Sequence, residues 1–172
     1  EIGNLRKISD SAIRILSEIG MSDAPEELCD LILEYGGKLE GNRLLYPTNL
    51  IESTIKRHQR VILLAGQTAD NDLQVGGHYV YAGTGGAAPN LQNHKTKQYV
   101  PSKLKDLYDA ARLADKLPNI SFFSRSLVAG DIENPLDFDL STAAASLAGT
   151  SKHVMVQAAH FTHVNAIAEL CY

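Results

Sequence analysis

Apolar residues in the first part of the chain fall at helical spacing. Leu5, Ile8, Ala12, Ile15, Leu16 and Ile19 recur at steps of three and four before Gly20, which predicts an amphipathic helix with a glycine stop. A second helix is expected from Pro25, a residue suited to a first turn, through Leu28, Leu31, Ile32 and Tyr35 to Gly36-Gly37. KLEGNRLLYP reads as a hairpin turning at Gly41-Asn42, and Thr48 is placed to cap a third helix carrying Leu50, Ile51 and Ile55. Short apolar runs predict strands at 61–65, 72–75 and 78–83. Residues 1–75 are therefore read as a mixed α+β segment.

The rhythm changes after the glycine-rich stretch VYAGTGGAAPNL, residues 80–91. HKTK is a turn between LQN and QYV, and Ser102 is placed to cap a strongly periodic helix. That helix carries Leu104, Leu107, Tyr108, Ala111, Ala114 and Leu117, and Pro118 closes it. ISFFSRSLV (120–128) reads as a strand, the alanine-rich run from Asp139 to Leu147 as a helix, and HVMVQAA (153–159) as another strand. Thr162 is placed to cap a last helix through Val164, Ile167, Ala168 and Cys171. Alternation of this kind predicts an α/β fold with right-handed crossovers. Segments 119–128 and 153–159 should pair in parallel, joined by a helix over 137–148.

Composition narrows the class. A chain of 172 residues with 44% hydrophobic content supports one packed core. A net charge of −4 and the lack of any Lys/Arg cluster argue against a nucleic-acid partner. No apolar run approaches the roughly 20 residues that cross a bilayer, so no membrane association is expected. No signal-peptide pattern opens the chain, although Glu1 in place of Met leaves open where translation begins. Cys29 and Cys171 stand far apart in no metal-ligand spacing, which fits a reducing cytoplasm. The pattern stops at Tyr172 inside an apolar helix, as in a fragment of a longer protein or a terminal helix that docks fully.

In parallel α/β folds the reactive groups gather where strands end and loops follow. That rule selects the loop Gly83–Gly86, the run Ser124-Arg125-Ser126 with Asp131, and Gln157 with His160 and His163. Gly83, Gly85 and Ala88 satisfy the loose form G-x-G-x-x-[GA], but the polar continuation QNHKTKQYVP opens no helix, so no nucleotide is expected there. The glycines instead let a backbone approach something closely. Arg125, inside an apolar strand, needs an anionic partner: Asp131, Glu133 or a ligand carboxylate. Tyr79, Tyr81, Phe122 and Phe123 are core residues or, where they end at one mouth, a cation–π cradle for a quaternary ammonium group. His160 and His163, with Glu169, offer metal ligands; capping or hydrogen-bonding histidines are the plainer reading. No G-x-S-x-G elbow is present, and no catalytic residue is assigned.

EYGGKLEGNRLLYPTNLIESTI resembles the opening of the trimethylamine methyltransferase family, whose counterpart is a helix, then Gly-x-x-Val-x-Gly-x-x-Val-x-x-Pro, then another helix. The similarity continues through VILLAGQTADNDLQVGGHYVYAGTGGAAPNL and PSKLKDLYDAARLADKLPNI. QNHKTKQYV stands where the family carries Asp-x-x-Thr-Gly-x-x-Arg. The resemblance implies that residues 76–172 are the first βα units of a TIM (β/α)8 barrel. It implies a corrinoid-dependent methyltransferase, passing a methyl group from trimethylamine, or in the non-pyrrolysine branch from a quaternary amine such as glycine betaine. The acceptor is the cob(I)alamin of a partner corrinoid protein, so no cofactor is bound directly and no metal is held. Substrate contacts are then expected from Tyr81, Gly83, Thr84, Gly85, Gly86, Arg125 and His160. A barrel fragment lacks most of the strand ends that position a donor, so alone it should be inactive, and its open edge strand predicts a homo-oligomer. Two other readings stand beside this one: a non-catalytic α/β binding or assembly module, and a metal-dependent TIM-barrel enzyme using His160 and His163.

Overall fold

The structure, a computed structural model, describes residues 2–171; Glu1 and Tyr172, the ends noted in the sequence, lie outside the described residues. The chain divides into two compact units, residues 1–59 and 60–172. In the first, α1 (Ile2–Arg14) widens into a π turn at Ile15–Ile19 and stops at Gly20, whose φ of +71° favours glycine. β1 (Met21–Ser22) leads into α2 (Glu26–Glu34), which Pro25 precedes. β2 (Lys38–Glu40) and β3 (Arg43–Leu45) form the expected hairpin, and β1 pairs with the other edge of β3, all antiparallel. Leu44 at the centre of β3 is fully buried. α3 (Thr48–Arg57) follows, with one correction: Thr48 is the first helical residue and caps nothing. Pro47 holds the cap position, its carbonyl accepting from the Leu50 and Ile51 N–H groups.

The second unit opens with an antiparallel hairpin, β4 (Val61–Leu64) and β5 (Leu73–Gly76). The strand expected at 78–83 does not form as such. Among the described residues, segment 82–88 makes two isolated parallel bridges, Gly83 beside Phe122 and Ala88 beside Leu127. β6 (Asn90–Gln92) and β7 (Tyr99–Pro101) close the predicted HKTK hairpin. Then come α4 (Leu104–Lys116), β8 (Phe122–Ser124), α5 (Pro135–Gly149), β9 (His153–Met155) and α6 (Val164–Leu170). β8 and β9 pair in parallel across α5, Phe122 opposite His153 and Ser124 opposite Met155, as the apolar pattern required. Each keeps three ladder residues, fewer than the runs 120–128 and 153–159 predicted. Segment 82–88, β8 and β9 therefore run side by side in one direction, and the unit is mixed α/β.

Phe123 on β8 packs against Leu107, Ala111 and Ala114 of α4, all buried. α5 turns a face of small residues to the interior, Thr142, Ala143, Ser146 and Gly149. At Gly149 the helices come so close that an added Cβ would lie 2.5 Å from the Ala111 Cβ. Ser102 is not the cap of α4. It is fully buried, and its hydroxyl lies 2.7 Å from the Val128 carbonyl and 3.1 Å from that of Ala88, joining segment 82–88 to the stretch that follows β8. Asp131 and Asp106 cap α4 instead, accepting from the Leu104 N–H (2.8 Å) and the Lys103 N–H (2.9 Å). Thr162 likewise yields its capping role, since the His160 ring accepts its N–H.

The turn before β9 is held by polar contacts. Gln67 donates its N–H to the Ser151 carbonyl (2.9 Å) and its side-chain amide to the carbonyls of Leu147 and Thr150. The Ala65 carbonyl meets His153 Nδ1 at 2.8 Å. These bonds bind the β4–β5 hairpin to the rest of the second unit. Among the described residues no helix is long and apolar enough to cross a membrane.

Candidate functional site

The carboxyl ends of the parallel strands are shaped by one side chain, that of Thr84. Its Oγ1 accepts the Ser124 N–H (2.9 Å) and donates to the Ser124 carbonyl (2.7 Å), taking the place of a backbone partner. The next bond along is from the Ala88 N–H to the Ser126 carbonyl, 3.0 Å. Gly85, Gly86 and Ala87 therefore bulge out opposite the single residue Arg125. At Gly85 and Gly86 an added Cβ would meet nothing within 4 Å, so this backbone faces open space, and Gly86 has φ +74°.

Gly83 has a different reason to be glycine. The Phe122 ring lies over it, and an added Cβ would fall 2.3 Å from ring atoms. Gly83→Val should force Phe122 from its rotamer and part segment 82–88 from β8, a loss of about 1–3 kcal/mol. Gly85→Ala should change stability by less than about 0.5 kcal/mol. Urea unfolding of the two variants checks the contrast, and equal losses would show that both glycines serve the turn alone.

Arg125 departs from expectation. Asp131, its expected partner, caps α4, and among the described residues no carboxylate lies within ion-pair distance of Arg125, Glu133 included. The guanidinium instead packs 4.9 Å from the centre of the Phe138 ring on α5, and its Nε is buried without a partner. Residues i and i+2 of a strand share a face, so Arg125 follows Phe123 toward the helices, while Phe122 and Ser124 take the opposite face. The four aromatic residues do not converge as a single cradle. Phe123 belongs to the core, Phe122 covers Gly83, and Tyr81 stacks on Tyr79 with centroids 6.3 Å apart.

His160 is exposed, its Nδ1 2.8 Å from Thr162 Oγ1. Its ring centre lies 5.8 Å from that of His163. His163 is bound to Asp139, the residue that opens the alanine-rich run of the sequence. Asp139 is fully buried, and its Oδ2 accepts from His163 Nδ1 (2.7 Å) and from the Ala159 N–H (2.7 Å). Its Oδ1 is buried with no partner. The signal was present in outline: a carboxylate stands on the small-residue face of an apolar helix, where a charge needs a reason. Among the described residues no group of three or more His, Cys, Asp or Glu gathers as a metal site, so the metal reading of His160 and His163 lacks its third ligand.

Known proteins resemble this chain over nearly its whole length. The family model described as trimethylamine methyltransferase (MTTB) matches residues 3–172. A trimethylamine methyltransferase MttB of Desulfitobacterium hafniense (strain DSM 10664 / DCB-2) is 24% identical over 154 residues, covering 88% of this chain and 31% of that protein. A glycine betaine methyltransferase of Desulfitobacterium hafniense (strain Y51) is 26% identical over 136 residues, 77% of this chain and 26% of that protein. The chain thus spans about a third or less of the length of these curated relatives. By the match over residues 3–172, this chain belongs to the trimethylamine methyltransferase family.

Proposed function

We propose that the protein to which this chain belongs moves a methyl group from a methylated amine to the cob(I)alamin of a partner corrinoid protein, and that the chain supplies the first βα units of its TIM barrel. The observation that carries the reading is the family match over residues 3–172. The two relatives named for trimethylamine and for glycine betaine supply the substrate class. The parallel course of segment 82–88, β8 and β9, with α4 and α5 between them, supports the barrel.

A quaternary nitrogen already carries the charge that makes the amine a leaving group. The protein's work is then to bind, orient and keep water out. From this segment, Thr84, Gly85 and Gly86 would form a low wall at the carboxyl face, with Tyr81 before it and His160 after it, while Gly83 lies under the Phe122 ring and Arg125 turns to Phe138. The open backbone at Gly85 and Gly86 leaves room for a broad group brought by a partner. The partner's cob(I)alamin supplies the nucleophile that takes the methyl group.

The test is methyl transfer from glycine betaine or trimethylamine to cob(I)alamin by the full-length protein, followed by the cobalamin absorbance change. Conversion of cob(I)alamin to methylcobalamin is expected with at least one of these donors. Absence of transfer from methylamines and betaines alike would remove the assignment.

A further inference from the structure

We propose that His163, seated on Asp139, is the proton donor that captures the amine released by methyl transfer; this rests on the methyl-transfer reading above. Asp139 comes from α5 and His163 from the turn that leaves β9, at the same carboxyl face as the Thr84–Gly86 bulge. A carboxylate only accepts hydrogen bonds. The 2.7 Å contact with Oδ2 therefore keeps a proton on Nδ1 whether or not the ring is charged, so the proton that His163 can pass on is the one carried by Nε2. Nε2 has no partner among the described residues, and the side chain is 14% exposed, so one edge of an otherwise covered ring reaches outward. The titratable groups facing it are Asp139 from α5 and His160 from its own turn. Asp139 contacts no open surface itself; it is a positioning residue.

The chemistry gives such a donor work. When a quaternary amine gives up a methyl group as CH3+ to the two-electron nucleophile of the corrinoid, the C–N bond pair returns to nitrogen. The neutral tertiary amine that results is a base able to take the methyl group back. A proton passed from imidazolium Nε2 to that nitrogen occupies the lone pair and makes departure one-way. The imidazole is left neutral and takes a new proton from solvent through its exposed edge.

The full-length protein is assayed for methyl transfer from glycine betaine to cob(I)alamin from about pH 5 to pH 9, with thermal unfolding as the fold check. His163→Asn keeps an amide N–H within reach of Asp139 but cannot pass a proton. It should lose turnover by roughly 10²-fold, with little change in KM. His163→Gly should regain part of its turnover when imidazole is added. A His163→Asn variant with wild-type turnover and pH profile would overturn this proposal alone. A wild type inactive toward every methylated amine would overturn the methyl-transfer reading and this proposal with it.

Discussion

Replacing Lys152 by methionine is expected to destabilise the second unit by about 1.5–3 kcal/mol, the range for hydrogen bonds made by a charged group. Lys152 is 8% exposed, and its ammonium donates to three carbonyls: Ala114 (2.7 Å), Leu117 (2.8 Å) and Ile120 (2.6 Å). Two of these belong to the last turn of α4 and its exit, where a helix leaves carbonyls without internal partners and carries partial negative charge. Three donors in tetrahedral array match three carbonyls that water reaches poorly. Methionine fills the volume but removes all three bonds; the Ala114 and Leu117 carbonyls keep the Leu117 and Ile120 N–H groups (3.2 and 3.1 Å), while the Ile120 carbonyl loses the ammonium without replacement. Lys152→Arg should recover only part of the loss, because a planar fork cannot reproduce that array. Urea unfolding of both variants measures it. A loss below about 1 kcal/mol for Lys152→Met would mean that water replaces the ammonium.

Asp115→Asn should weaken the same corner, in a way that depends on pH. The Asp115 carboxylate accepts the Ser151 N–H (2.8 Å), the Ser151 hydroxyl (2.8 Å) and the Thr150 hydroxyl (3.1 Å). The Ser151 amide, then the Ser151 hydroxyl, hold its carboxyl well below the usual carboxylate range, while partial burial pulls the other way. A folded pKa below the unfolded one stabilises the fold fully above the unfolded value, near 4, and less as pH falls toward the folded value. Asparagine presents an NH2 group to at least one donor. The wild type should therefore exceed Asp115→Asn by about 1.5–3 kcal/mol at pH 7, with the gap narrowing below about pH 4. Urea titrations at pH 7 and pH 3 check the sign. A gap that widens in acid would exclude the carboxylate as its source.

This corner was invisible in the sequence. Lys152 stands between the alanine-rich helix and β9 and Asp115 on the last turn of α4, and their partners lie 32 to 38 residues away. The same holds for Ser102. Its position before an apolar periodic run marks a helix cap, yet Asp131 and Asp106 take that work, and the Ser102 hydroxyl is drawn into the join between segment 82–88 and the stretch that follows β8. A capping bond is local and cheap to replace. A buried hydroxyl has to find a carbonyl wherever the fold supplies one.

The sequence by itself determined the helices, the hairpins at Gly41-Asn42 and HKTK, and the parallel pairing of β8 with β9. Those features depend on spacing, glycine and apolar content within a few residues of each other. It also carried the family, through diffuse patterns spread over the chain. Only the tertiary structure decided what each glycine is for. Gly83 yields to the Phe122 ring, whereas Gly85 and Gly86 face open space. It alone placed Arg125 over Phe138 and joined Asp139 to His163 across 24 residues. The reason is physical: burial and charge pairing are fixed by which strand ends and helix faces meet, and local spacing along one chain does not contain that meeting.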